Sequence, residues 1–151
     1  MLILRKMNAS KEKSIIGRRE IADLPDFGLS EVDVKTDTGA YTSSIHVSKC
    51  DLDQQNGKDL LKVIFLDDKF DSYTGEEIHF DKFRRKKVKS STGQEQIRFF
   101  VFGKIRIAGR IIKTEFSLTQ RSGMRFPILL GRKLLNNHFM VDTSLKYVHK
   151  K

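Results

Sequence analysis

A strand-like segment that runs straight into a tight aspartate loop is the feature that most limits the folds open to this chain. Val32-Asp33-Val34-Lys35-Thr36 alternates apolar and polar residues and leads directly into Asp37-Thr38-Gly39-Ala40. About ninety residues later comes Ile128-Leu129-Leu130, an apolar run that belongs to a core under any reading, closed by Gly131-Arg132. Between and beyond them, Tyr41 to Val47, Leu60 to Leu66, Ile97 to Phe102, Lys104 to Ile107, Ile111 to Leu118 and Phe139 to Val141 are rich in β-branched and aromatic residues. Many short strands argue for a barrel or a sandwich. Ala108-Gly109-Arg110 reads as a hairpin turn, because glycine takes the positive φ that a tight connection needs. Only Arg132 to Asn137 reads as a helix, and it is short. Asp51 to Lys58 reads as a polar loop, and the cations between Lys82 and Lys89 as a solvated face with a functional role as the alternative. A chain of 151 residues can bury one core but not two. We therefore expect a flexible arm over residues 1–14 and a single domain over 15–151.

The strand followed by Asp37-Thr38-Gly39 resembles the catalytic loop of aspartic peptidases. Pro127-Ile128-Leu129-Leu130-Gly131-Arg132-Lys133-Leu134-Leu135 is similar to the segment that closes around the active-site aspartate in retroviral-type members. Gly17-Arg18-Arg19-Glu20 with Leu24-Pro25, Lys35 to Ser43, Arg121 to Pro127 and Val141-Asp142 extend the likeness. Together they resemble the bacterial retropepsin-like family long labelled "ATP-dependent zinc proteases", from about Ile16 to Val148. The resemblance implies an all-β, closed acid-protease barrel with one short helix near the C-terminus. It also implies a homodimer, since the chain has one Asp-Thr-Gly where two-domain aspartic peptidases carry two such loops.

Peptide hydrolysis without a covalent intermediate needs a nucleophilic water and a polarised carbonyl, and two carboxylates sharing one proton can supply both. The resemblance places Asp37 and its symmetry mate at a two-fold axis as that pair. Thr38 would bond across the axis, Gly39 would let backbone approach the carboxylate, and Ala40 would keep the substrate-side wall small. Leu129 and Leu130 would hold the loop from behind, and Gly131 would permit close chain crossing. Arg132 would meet an acid in the retroviral pattern, but Tyr41 stands at that position. Lys89 to Gln96, with Gly93 near its tip, is the candidate flap over the cleft. Arg125 is a candidate substrate contact, with loop shaping as the alternative for Gly123 to Phe126.

With 29 Lys and Arg against 19 Asp and Glu, the formal charge of +10 favours acidic partners. Members of the family are associated with a ligase that adds glutamate tails to a ribosomal protein, so the resemblance suggests a poly-glutamate-like peptide or protein substrate. Arg84, Arg85, Lys86, Lys87 and Arg125 are the cations expected to hold it. Nucleic acid is expected to bind only nonspecifically, since no recognised motif accompanies Phe99, Phe100 and Phe102. His46, His79, His138, His149 and Cys50 form no recognised zinc motif, so no metal and no cofactor are expected. One cysteine and no apolar membrane span fit a cytoplasmic protein without membrane contact. The reading is an aspartic endopeptidase. The alternative is a non-catalytic module of the same fold that binds acidic protein or nucleic acid.

Overall fold

The computed structural model describes residues 12–121 and 123–149. Of the expected N-terminal arm, residues 1–11 lie outside the described residues, and Ser14 already opens the first strand. The strands are β1 (Ser14–Gly17), β2 (Arg19–Leu24), β3 (Leu29–Thr36), β4 (Ser43–Gln55), β5 (Lys58–Phe65), β6 (Glu77–Phe80), β7 (Arg84–Lys89), β8 (Glu95–Ile107), β9 (Arg110–Thr119), β10 (Ile128–Leu130) and β11 (Phe139–Asp142). A single α-helical turn, α1 (Arg132–Leu135), follows β10, and a 3-10 turn (Pro25–Phe27) links β2 to β3.

Pairing runs β10-β3-β2-β8-β9-β4, and β4 returns to β10, so six strands close on themselves. This is the all-β closed barrel expected from the sequence. Two of its joints are parallel, β10 with β3 and β4 with β9, and both lie beside the Asp37 loop. The barrel is filled by alternate residues of its strands, such as Val32 and Val34 of β3 and Val101, Ile105 and Ile107 of β8. Phe27 enters from the 3-10 turn, stacks on Phe65 at 4.2 Å and meets Phe116 edge-on at 5.5 Å. Gly103 makes room for it, since a Cβ there would lie 2.5 Å from the Phe27 ring. Burying a phenylalanine of this kind stabilises a fold by roughly 1.5–3 kcal/mol.

Several sequence expectations are corrected. Asp51 to Lys58 is not a loop: β4 runs on to Gln55, turns at Asn56 and Gly57, and pairs back along β5. Both turn residues have positive φ, 54° and 76°, the conformation whose twist matches an antiparallel pair. Polar residues suffice there because this hairpin stands clear of the core on both faces. Ile97 to Phe102 and Lys104 to Ile107 are one strand, β8, since Gly103 lies inside it. Within it Val101 is buried, while Phe102 faces outward and is 53 % exposed. The basic run from Arg84 to Lys89 is a strand, β7, with mostly exposed side chains. Ala108 and Gly109 form the expected tight hairpin, at φ 53° and 73°.

Strand β8 changes partner along its length. Its first half, to Phe100, pairs with β7, while Phe100 to Ile107 pairs with β9. The β7–β8 hairpin therefore diverges from the end of β9 and leaves a fork, which opens toward the Asp37 loop. Among the described residues no helix is long and apolar enough to cross a membrane.

Candidate active site

Asp37 sits where the chain leaves β3, and the loop is fixed by main-chain bonds rather than by its own sequence. The Asp37 N–H donates to the Leu130 carbonyl at 2.8 Å, continuing the parallel pairing of β3 with β10. Ala40 N–H donates to the Asp37 carbonyl at 3.2 Å, closing the turn. The other side is held by α1: Arg132 N–H donates to the Ala40 carbonyl at 2.9 Å and Lys133 N–H to the Tyr41 carbonyl at 2.8 Å. Gly131 lies at the crossing, where a Cβ would meet the Tyr41 carbonyl oxygen at 2.6 Å and the Thr42 carbonyl carbon at 2.8 Å. Its N–H donates to the buried Ser43 hydroxyl at 3.0 Å.

Arg132 has two partners in place of an acid. Its guanidinium donates to the Thr38 carbonyl at 3.0 Å and lies 5.8 Å from the centre of the Tyr41 ring. The tyrosine thus supplies a π face where the retroviral pattern would supply a carboxylate. Asp37 is half-buried, while Thr38, Gly39 and Tyr41 are exposed, so the loop presents its tip to solvent. Its carboxylate has no hydrogen-bond or ion-pair partner among the described residues.

The carboxylate opens on a cavity of about 310 Å³ lined by Ala40, Thr42, Ser44, Leu129, Ser117 and Thr119, with Arg98, Phe100 and Arg121. Arg98 and Arg121 also line a larger cavity of about 800 Å³ in the fork between β8 and β9. The two spaces share this pair of arginines and Thr119, so they form one groove leading from Asp37 to the β7–β8 hairpin. Neither arginine makes an ion pair among the described residues. The Ser117 hydroxyl, in the cavity wall, is buried without a hydrogen-bond partner. Cys50 borders the far end of the groove; burial and the neighbouring charge of Asp51 push its thiol up to about 11.

Some expected contacts stand elsewhere. Gly93 is at the tip of the β7–β8 hairpin, with φ 83°, and the groove is lined there by Ser90 and Ser91 instead. Arg125 is exposed, with its guanidinium 5.7 Å from the Phe126 ring centre, and does not border the Asp37 cavity. Arg84 is held by Glu115 and Arg85 by Asp59, which leaves Lys86, Lys87 and Lys89 as the cations of that strand without an ion pair among the described residues. Arg98 and Arg121 were not singled out by sequence reasoning. A cation inside the apolar run Ile97-Arg98-Phe99-Phe100 was the available signal, since alternation gives it a different face from Phe99. Among the described residues, no three His, Cys, Asp or Glu side chains gather in a metal-ligating arrangement.

Residues 15–151 match the model of the family described as retropepsin-like aspartic endopeptidase RimB. The chain belongs to this RimB-like family. The closed β-barrel agrees with that match. A protein of Desulfotalea psychrophila named as a probable alpha-L-glutamate ligase is 26% identical over 140 residues, which are 93% of this chain and 30% of that protein. One of the same name from Shewanella pealeana is 28% identical over 135 residues, 89% of this chain and again 30% of the relative. The chain thus spans about a third of the length of the curated relatives it matches. Among solved structures, a Legionella pneumophila protein of unknown function superposes with a TM-score of 0.69 at 25% identity, covering 92% of this chain and all of that one.

Proposed function

We propose that the chain is an aspartic endopeptidase that works as a homodimer, with the Asp37 carboxylates of two subunits as the catalytic pair. The observation that carries this reading is the half-buried, unpartnered Asp37 carboxylate on a loop tied down from both sides, at the mouth of a groove. One subunit supplies one carboxylate, and the exposed tip formed by Thr38, Gly39 and Tyr41 is the surface on which a second copy would bring its own. Two such groups a few ångströms apart cannot both ionise, so one proton is shared. The ionised partner takes a proton from water as it attacks the peptide carbonyl, and the protonated partner donates to the carbonyl oxygen. Collapse of the tetrahedral intermediate returns a proton to the leaving amine. The rigid loop fixes the carboxylate without spending substrate binding energy on it.

Arg98 and Arg121 give the groove its selectivity in this reading: acidic side chains flanking the scissile bond meet two cations that have no carboxylate of their own. The unpartnered Ser117 hydroxyl is a further group for a substrate or a bound water. An oligo-glutamate segment fits this chemistry. The relatives' name points the same way, since forming glutamyl bonds yields an acidic product for a peptidase to trim. In this reading the cations that meet the substrate are Arg98 and Arg121, which line the groove, rather than Arg125. A soluble cytoplasmic setting suits such a substrate.

Asp37→Asn decides the matter. A peptidase should lose nearly all turnover of an acidic peptide while keeping its melting temperature and its sedimentation as a dimer. Equal turnover by Asp37→Asn, or a protein that stays monomeric at every concentration while hydrolysing peptide, refutes the paired-carboxylate reading. Acidic-peptide binding without hydrolysis by the unsubstituted protein would instead mark a non-catalytic member of the fold.

A further inference from the structure

His46 is buried in β4, and all of its polar groups are engaged. Its N–H donates to the Pro127 carbonyl and its own carbonyl accepts from Leu66 N–H, each at 2.8 Å. Its Nε2 lies 2.8 Å from Asp67 Oδ2, and its Nδ1 lies 3.3 Å from the main-chain nitrogen of Arg121. Ionised Asp67 can only accept and the Arg121 N–H can only donate. The two contacts together fix a neutral ring with its proton on Nε2 and a lone pair on Nδ1. One residue thereby anchors both Arg121 and Pro127, the two ends of the connection between β9 and β10.

We infer that His46 is a positioning residue that acts through Arg121: its Nδ1 lone pair holds the main chain from which the Arg121 side chain reaches the Asp37 groove. This rests on the substrate reading above, because Arg121 is there one of the two cations that meet an acidic ligand. The consequence is that affinity for an acidic ligand depends on an acceptor at the Nδ1 position: a side chain without one would release the Arg121 main chain, while Pro127 stays bonded to the His46 main chain.

The groups facing the imidazole stand on both sides of it. On the Nε2 side stands Asp67, whose other oxygen accepts Lys69 N–H at 3.1 Å, with the Lys69 ammonium 5.0 Å from the Phe70 ring centre. Phe70 covers the ring at 6.3 Å. From β9, Thr119 is opposite in register and donates its hydroxyl to the Ile45 carbonyl at 3.2 Å. On the Nδ1 side the contact is the Arg121 main-chain N–H.

Two measurements test this. Nitrogen-15 NMR of the histidine-labelled full chain near neutral pH should show an unprotonated Nδ1 and a protonated Nε2 for His46; the opposite tautomer overturns the inference. Fluorescein-labelled hexaglutamate, titrated near neutral pH into Asp37→Asn protein so that no turnover intervenes, should bind about tenfold more weakly once His46→Leu is added, the weight of one lost charged contact. His46→Asn offers an oxygen close to the Nδ1 position, so its affinity should stay near that of its His46 parent. Arg121→Gln should bind more weakly, and adding His46→Leu to it should cost nothing further. Equal affinity of His46→Leu and its parent, or losses from His46→Leu and Arg121→Gln that simply add, overturns the inference. A His46-dependent loss of binding in a protein that cleaves no peptide supports it while overturning the peptidase reading, so the two failures are distinguishable.

Discussion

Adding a single methyl group at Gly131 should unlock the Asp37 loop, whereas the same change at Gly39 should not. Gly131 has an ordinary extended backbone, so the effect is purely steric. A Cβ there meets main-chain atoms of Tyr41 and Thr42 at 2.6–2.8 Å, and backbone cannot swing aside as a side-chain tip can. Overpacking of this kind costs roughly 1–3 kcal/mol. Opening the crossing also strains the bonds from Gly131 N–H to Ser43, from Arg132 N–H to Ala40 and from Lys133 N–H to Tyr41. Loss of one or two of these adds about 1 kcal/mol each. Gly131→Ala should therefore destabilise by about 2–5 kcal/mol, seen as a lower urea midpoint and a melting temperature lower by roughly 4–20 °C. At Gly39 a Cβ would touch only Asp37 Oδ1, at 3.5 Å, an ordinary contact. Gly39→Ala should stay within about 0.5 kcal/mol of the parent in folding stability, yet lose turnover if substrate and a second loop must approach there. If Gly131→Ala melts like the parent, or if Gly39→Ala proves the more destabilising of the two, the account of how the loop is held is wrong.

Glu115 links β9 to β7 and α1 through a two-pronged pair with Arg84, at 3.0 and 3.1 Å, and a bond from Lys133 at 3.2 Å. The Arg84 bonds hold its carboxyl below the usual range against the opposing effect of burial, with Lys133 adding to them. A depressed folded-state pKa means the contribution is complete above the unfolded value, about 4.3, and is lost as pH falls through the folded one. Glu115→Gln should therefore cost about 1–2 kcal/mol near neutral pH, discounted for the exposed arginine and lysine, and the gap in urea midpoint should narrow as the pH falls below about 4.3. Gly103→Ala should clash with the Phe27 ring, which is itself clasped by Phe65 and Phe116, and lower stability by roughly 1–3 kcal/mol without altering sedimentation.

Local signals carried much of the fold. Alternation marked β3, β-branched and aromatic content marked β5 and β9 because these strands pack against the core, and the Ala108-Gly109 turn was legible because glycine takes the positive φ of a tight connection. β1, β2 and β6 are short strands that the strand pattern did not mark. The hairpin arm of β4 and β5 escaped because strands with two wet faces have no hydrophobic period to read.

The order of residues by itself marked the aspartate turn and the apolar segment that ends in Gly131, since each is written in consecutive residues, while the bonds that tie the two together came from the fold. The groove was decided by tertiary structure. Arg98 and Arg121 come to one cavity only because β8 leaves β9 for β7, and His46 meets Arg121 only because β4 lies beside β9. Contacts between residues far apart in sequence depend on which strands pair and in what register, and no local pattern encodes that.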